Sequence, residues 1–171
     1  MRLVVYDAKP GAGLGNAGLK LSWKAWAWKQ LQTKEADAVL GATSWFEAIA
    51  WANKFDRITW LQYWGHGSNG AVYLNDETLK PTDLAILKGK FTPEAYVWFR
   101  SCSTFNTLWG RDFAKAARRH TGVTVAGHTR IIGLTQPGLQ VLTPGGTADW
   151  QDLSGSSVWC FQSKLPTTKN K

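Results

Sequence analysis

The stretch Ala95-Tyr96-Val97-Trp98-Phe99-Arg100-Ser101-Cys102-Ser103 constrains this chain more than any other. An apolar run that closes in small residues and a cysteine is the pattern of a strand buried on both faces, as found inside a parallel sheet. In an open α/β sheet the functional crevice lies just past the carboxyl ends of such strands, which is where Cys102 falls. A second run, Ile58-Thr59-Trp60-Leu61-Gln62-Tyr63-Trp64, closes in Gly65-His66-Gly67-Ser68. Two neighbouring strands of this kind would set a thiol and an imidazole side by side.

With 171 residues, 44% of them hydrophobic and 19% charged, the chain can bury a sizeable core and is neither disordered nor fibrous. One globular domain over residues 1–150, followed by a loosely ordered basic tail over 151–171, is expected. Most of the eleven Trp residues fall inside apolar periodic segments, where helix–sheet packing accounts for them. Nothing approaches the roughly 20 apolar residues that cross a bilayer. Met1-Arg2-Leu3-Val4-Val5-Tyr6-Asp7 turns polar too soon for a signal peptide, so a cytoplasmic address is expected, with signal-less export left open. Cys102 and Cys160 make no disulfide framework, although a single bridge between them stays open. The net charge of +8 raises nucleic acid as a partner. The basic residues are scattered, however, and the densest group, Arg118-Arg119-His120, sits at a helix end where the macrodipole favours cations. No nucleic-acid motif accompanies them, and a solvated basic surface is the preferred reading.

Strand and helix patterns alternate along the chain. Leu3–Tyr6 reads as a strand, and the glycine loop over 10–15 lacks the spacing of a phosphate cradle. Ser22 to about Thr33 is an amphipathic helix with Trp23, Trp26, Ala27 and Leu31 on one face. Ala38–Leu40 is a brief strand, and Ser44-Trp45-Phe46-Glu47 has the form of a capping box. Ala71–Leu74 with Asn75-Asp76 starts a small hairpin over the crevice, where Asp76 and Glu77 read as turn residues. Pro81–Leu87 is a short helix, Asn106–His120 a longer one stopped by Gly122. Val123–Ala126 is a buried strand ending in Gly127-His128-Thr129. Ile131–Leu134 and Leu139–Leu142 flank Gln136-Pro137-Gly138 as a hairpin, and Val158–Phe161 is a candidate edge strand. Strands alternating with helices imply a three-layer α/β/α sandwich around a mainly parallel sheet.

The block Tyr96-Val97-Trp98-Phe99-Arg100-Ser101-Cys102, preceded in the chain by an apolar strand closing in His66-Gly67, resembles the two catalytic blocks of the caspase-like cysteine peptidases. That superfamily includes caspases, metacaspases, legumains and gingipains, and the chain also looks like bacterial caspase-like domains of unassigned function. The likeness covers most of residues 1–142. It implies a caspase-like fold and a His66–Cys102 dyad in which Cys102 is the nucleophile and His66 the general acid for the leaving amine. It also implies that the backbone N–H groups of Gly67 and Cys102 bind the oxyanion.

The chemistry suits those residues, because an imidazole and a helix amino terminus both favour the thiolate of a nearby cysteine. No cofactor is expected. A metal site from His66, His128 and Cys102 lacks ligand spacing and ranks low. His120 reads as a helix-end cation, His128 as a satisfied group at a strand end that can also line the pocket, and Ser68 as a further crevice residue. In the resembling families the position two before the cysteine faces the pocket for the residue preceding the scissile bond. Here that position is Arg100. A buried Arg needs an anion, either an internal carboxylate, with Asp7 as candidate, or a substrate carboxylate held bidentately. The second option predicts cleavage after Asp or Glu, with Arg130 as another contact. Three function classes follow: a cysteine endopeptidase on peptide or protein substrates, an inactive caspase-like domain that binds a peptide in the same crevice, and, last, a basic protein whose Trp residues stack on nucleic acid.

Overall fold

Alternation of side chains across an extended backbone decides the layers of this molecule. Along β1 (Arg2–Asp7), Leu3 and Val5 join one apolar cluster while Val4 and Tyr6 join another. The same split runs through β3 (Ile58–Trp64) and β7 (Phe91–Arg100). Leu61, Tyr63, Val97 and Phe99 lie on the first face, Trp60, Trp64, Tyr96 and Trp98 on the second. Both faces are therefore buried, as the continuous apolar runs require. Full burial of side chains such as Phe99 and Leu3 contributes roughly 1.5–3 kcal/mol apiece.

The computed structural model describes residues 1–9, 14–146, 148, 150, 156–160, 162, 164 and 165, with backbone alone for 14–20 and 156. The remaining elements are α1 (Leu14–Gln32), β2 (Ala38–Ala42), α2 (Trp45–Ala52), β4 (His66–Ser68), β5 (Ala71–Leu74), β6 (Glu77–Thr78), a 3₁₀ helix (Pro81–Leu87), α3 (Leu108–Thr121), β8 (Thr124–His128), β9 (Thr135–Leu142) and β10 (Ser156–Trp159). The central sheet has seven strands in the order β10-β9-β8-β7-β3-β1-β2. Its pairs from β2 to β8 are parallel, and β8–β9 and β9–β10 are antiparallel. Residues of α2, α3 and the 3₁₀ helix pack in the first cluster, and Ala27, Trp23 and Trp26 of α1 in the second. The protein is thus an α/β sandwich with a mainly parallel sheet. Among the described residues, no helix is long and apolar enough to cross a membrane.

The helix boundaries follow local chemistry. Ser44 caps α2 by accepting the Glu47 N–H at 3.1 Å, but the Glu47 carboxylate reaches Thr43 N–H at 2.8 Å, so only half of the expected box forms. Thr107 caps α3 through Gly110 N–H, and Gly122 ends that helix at φ 77°. Two expectations are corrected. The first helix begins at Leu14 instead of Ser22, and the glycine loop at 10–13 lies outside the described residues. Gln136-Pro137-Gly138 is no hairpin tip but part of β9, the turn being the loop before it. The edge strand expected at 158–161 is present as β10, begins at Ser156, pairs with β9 and buries Val158 against Trp98 and Leu139. The remaining tail positions, apart from 156–160, 162, 164 and 165, lie outside the described residues.

Candidate active site

Parallel pairing of β3 with β7 brings the two motifs together. Trp64 is opposite Arg100, the last residue of each strand. His66 and Cys102 each follow two residues later, at the same end of adjacent strands. Gly67 closes the gap between them. A Cβ on Gly67 would lie 2.7 Å from the Cys102 carbonyl oxygen, 2.8 Å from Ser101 Cβ and 2.8 Å from Thr104 Oγ1. Only glycine lets the two backbones approach this closely.

The turn carrying Cys102 is held on both sides. Ser103, at φ 51°, takes a left-handed conformation that a side chain disfavours. Its N–H donates to Arg130 C=O at 3.0 Å, and its C=O accepts Gly70 N–H at 3.3 Å. The Ser101 and Thr104 hydroxyls bond each other at 2.6 Å beneath it. The half-buried Cys102 thiol meets the backbone of Ile132: Sγ accepts the Ile132 N–H at 3.5 Å and donates to its C=O at 3.8 Å. The Cys102 N–H has no partner among the described residues, as an oxyanion donor requires. Both Cys102 and Cys160 are free thiols.

His66 is half-buried, with the indole of Trp23 edge-on to its ring at 4.9 Å between centroids. Its Nε2 is buried and has no hydrogen-bond partner among the described residues. No hydrogen bond joins it to Cys102 among the described residues. A buried polar atom without a partner is rare enough to need a reason, and an imidazole nitrogen at a strand end next to the one that carries a cysteine has the chemistry for proton transfer. Ser68 is exposed one residue past Gly67, on β4. Arg130 reaches the site through its carbonyl, and its exposed side chain lies in the loop that also carries Ile132. Among the described residues no three His, Cys, Asp or Glu side chains form a metal-binding group.

Two expected site residues belong instead to the interior. His128 is fully buried. Its Nε2 accepts the Trp98 indole N–H at 3.2 Å, and since an indole can only donate, the ring proton must be on Nδ1, 3.0 Å from Pro137 C=O. Burial pulls its pKa down to about 3, so the ring is neutral and lines no pocket opening. Arg100 is the larger correction. It is 1% exposed, and all five of its N–H vectors are used. Nε donates to Gln136 Oε1 at 2.9 Å; Nη1 donates to Gln62 Oε1 at 3.2 Å and to Gln162 C=O. Nη2 donates to Trp159 C=O at 3.0 Å and Cys160 C=O at 2.9 Å. Trp64 and Trp98 lie 4.2 and 4.1 Å from its guanidinium carbon. Burial lowers its pKa to about 9, which leaves it charged at neutral pH. Asp7 is not its partner, because that carboxylate accepts Lys9 N–H at 3.0 Å and Asn75 N–H at 3.1 Å. The guanidinium therefore has no donor left for the bidentate substrate contact that the sequence suggested.

Sequence reasoning overlooked Trp23 and Ile132, which touch His66 and Cys102. Trp23 carried only the signal of a helix packing face, and Ile132 acts through its backbone, which leaves none. Glu77, expected in a turn, stands on β6, and its carboxylate accepts Trp45 N–H at 2.8 Å at the start of α2. The chain matches no protein-family model and no curated protein.

Proposed function

We propose that this chain is a caspase-like cysteine endopeptidase with a His66–Cys102 dyad. The observation that carries the reading is the placement of Cys102 beside the His66-Gly67 strand end, its sulfur held by Ile132 N–H and its own N–H unpartnered. Cys102 Sγ attacks the peptide carbonyl carbon while its proton passes to His66 Nε2. The carbonyl oxygen gains the negative charge and is met by the N–H groups of Cys102 and Gly67. Collapse breaks the C–N bond, and His66 returns the proton to the leaving amine. Water then attacks the acyl-thioester, giving the carboxylate product and restoring the thiol. Labelling at neutral pH tests this. Iodoacetamide should modify Cys102 ahead of Cys160, which is 3% exposed, and His66→Ala should slow that labelling. Equal labelling rates in both proteins would sink the dyad.

A second reading, a peptide-binding crevice without turnover, is favoured by the missing His66–Cys102 hydrogen bond. Labelling of Cys102 in a protein that cleaves no peptide would select it.

A further inference from the structure

Beside the dyad lies a cavity of about 240 Å³. Trp23 and Trp26 of α1, Trp64, Ile132 and Leu134 wall it, together with Arg100. It adjoins both members of the dyad, since Trp23 packs on His66 and Ile132 bonds the Cys102 sulfur. Pockets for whole small ligands run to roughly 300–1,000 Å³. This one has room for a single side chain.

Its walls are mainly aromatic and aliphatic, with Ser22 as the polar side chain besides Gln136 and Arg100. The polar atoms of Gln136 and Cys160 that face Arg100 are spent on it. Arg100 contributes positive charge without an ion-pair partner among the described residues, and without a free donor. A lysine or arginine entering would meet that charge with no carboxylate to pair with. An aspartate would give up its water and gain no hydrogen bond from the guanidinium. A large apolar side chain loses little hydration and gains contact with three indole rings.

We infer that this cavity is the subsite for the residue preceding the scissile bond and that it selects large apolar or aromatic side chains, with Trp26 a specificity-determining residue. The assignment rests on the endopeptidase reading and replaces the acidic preference expected from Arg100. A library of fluorogenic peptides varied at that residue, used with the full-length protein, tests it. Phe, Leu, Met, Tyr and Trp should exceed Asp and Glu in kcat/KM by about tenfold or more, with Lys and Arg lowest. Trp26→Ala should lower the Phe-to-Ala ratio by about tenfold while leaving iodoacetamide labelling of Cys102 unchanged. Cleavage that favours Asp, Glu, Lys or Arg, or is indifferent to the residue, would overturn the subsite and leave the endopeptidase reading standing. Should no peptide be cleaved, that reading falls, and binding decides the cavity. Acetylated peptides ending in Phe-amide or Asp-amide, titrated against Cys102→Ala protein by tryptophan fluorescence, should show tighter binding of the Phe peptide. Equal or reversed affinities would overturn the subsite on that measurement as well.

Discussion

His66 and His128 stand at carboxyl ends of two strands of one sheet, β3 and β8, and each follows an apolar run through a glycine, yet their surroundings oppose each other. His128 has both ring nitrogens bonded, to Trp98 and Pro137, and is fully buried. His66 is half-buried with Nε2 unpartnered, beside the strand end that carries Cys102. The difference teaches that a histidine's role is read from its unsatisfied valence and not from its place at a strand end. A satisfied buried imidazole adds to stability, whereas an unsatisfied one beside a thiol is free to move a proton.

Exchanging the two residues for alanine should separate these roles. His66→Ala should lower kcat by roughly 100- to 10,000-fold with little change in melting temperature. His128→Ala should cost roughly 2–4 kcal/mol of stability, because it empties a buried site and strands the Trp98 N–H, while kcat per folded molecule is kept. Denaturant melts and kinetics on both proteins decide it, and the contrast breaks if His128→Ala is the inactive but stable one.

Gly67 sharpens the comparison at the His66 end. Gly67→Ala drives a methyl against the backbone of Cys102 and should lower kcat on the order of 100-fold by displacing the two strand ends. Glu94→Ala, exposed near the amino-terminal end of β7 and away from the site, is the control and should leave kcat near wild type. Equal activity of the two variants would remove Gly67 from the site.

A further effect is one of slope. With a pKa lowered from 6.5 to about 3, His128 takes up a proton in the unfolded chain but not in the folded protein across that window. Stability contributed here is full above 6.5 and is lost as pH falls towards 3, by up to about 1.4 kcal/mol per pH unit. Urea melts at a series of pH values should therefore show a shallower acid limb in His128→Asn than in wild type. Parallel limbs would mean that His128 titrates normally in the folded state.

Periodicity and local turn chemistry determined much of this protein. The runs ending at Trp64 and Arg100, the Ser44 and Gly122 helix ends, and the chain order of His66-Gly67 before Cys102 were all legible, since each is written within a few residues of itself. Tertiary structure alone decided where the polar side chains found partners. The three main-chain carbonyls on Arg100 come from 59 to 62 residues further along the chain, the clamp on Cys102 from 30 residues away, and the donor to His128 from a neighbouring strand. Such bonds depend on sheet order and on which strand edges meet, and a backbone carbonyl is the same group in every residue. The composition of a strand therefore announces that an arginine is buried, while only the packed sheet, with β10 laid along β9, shows what receives it.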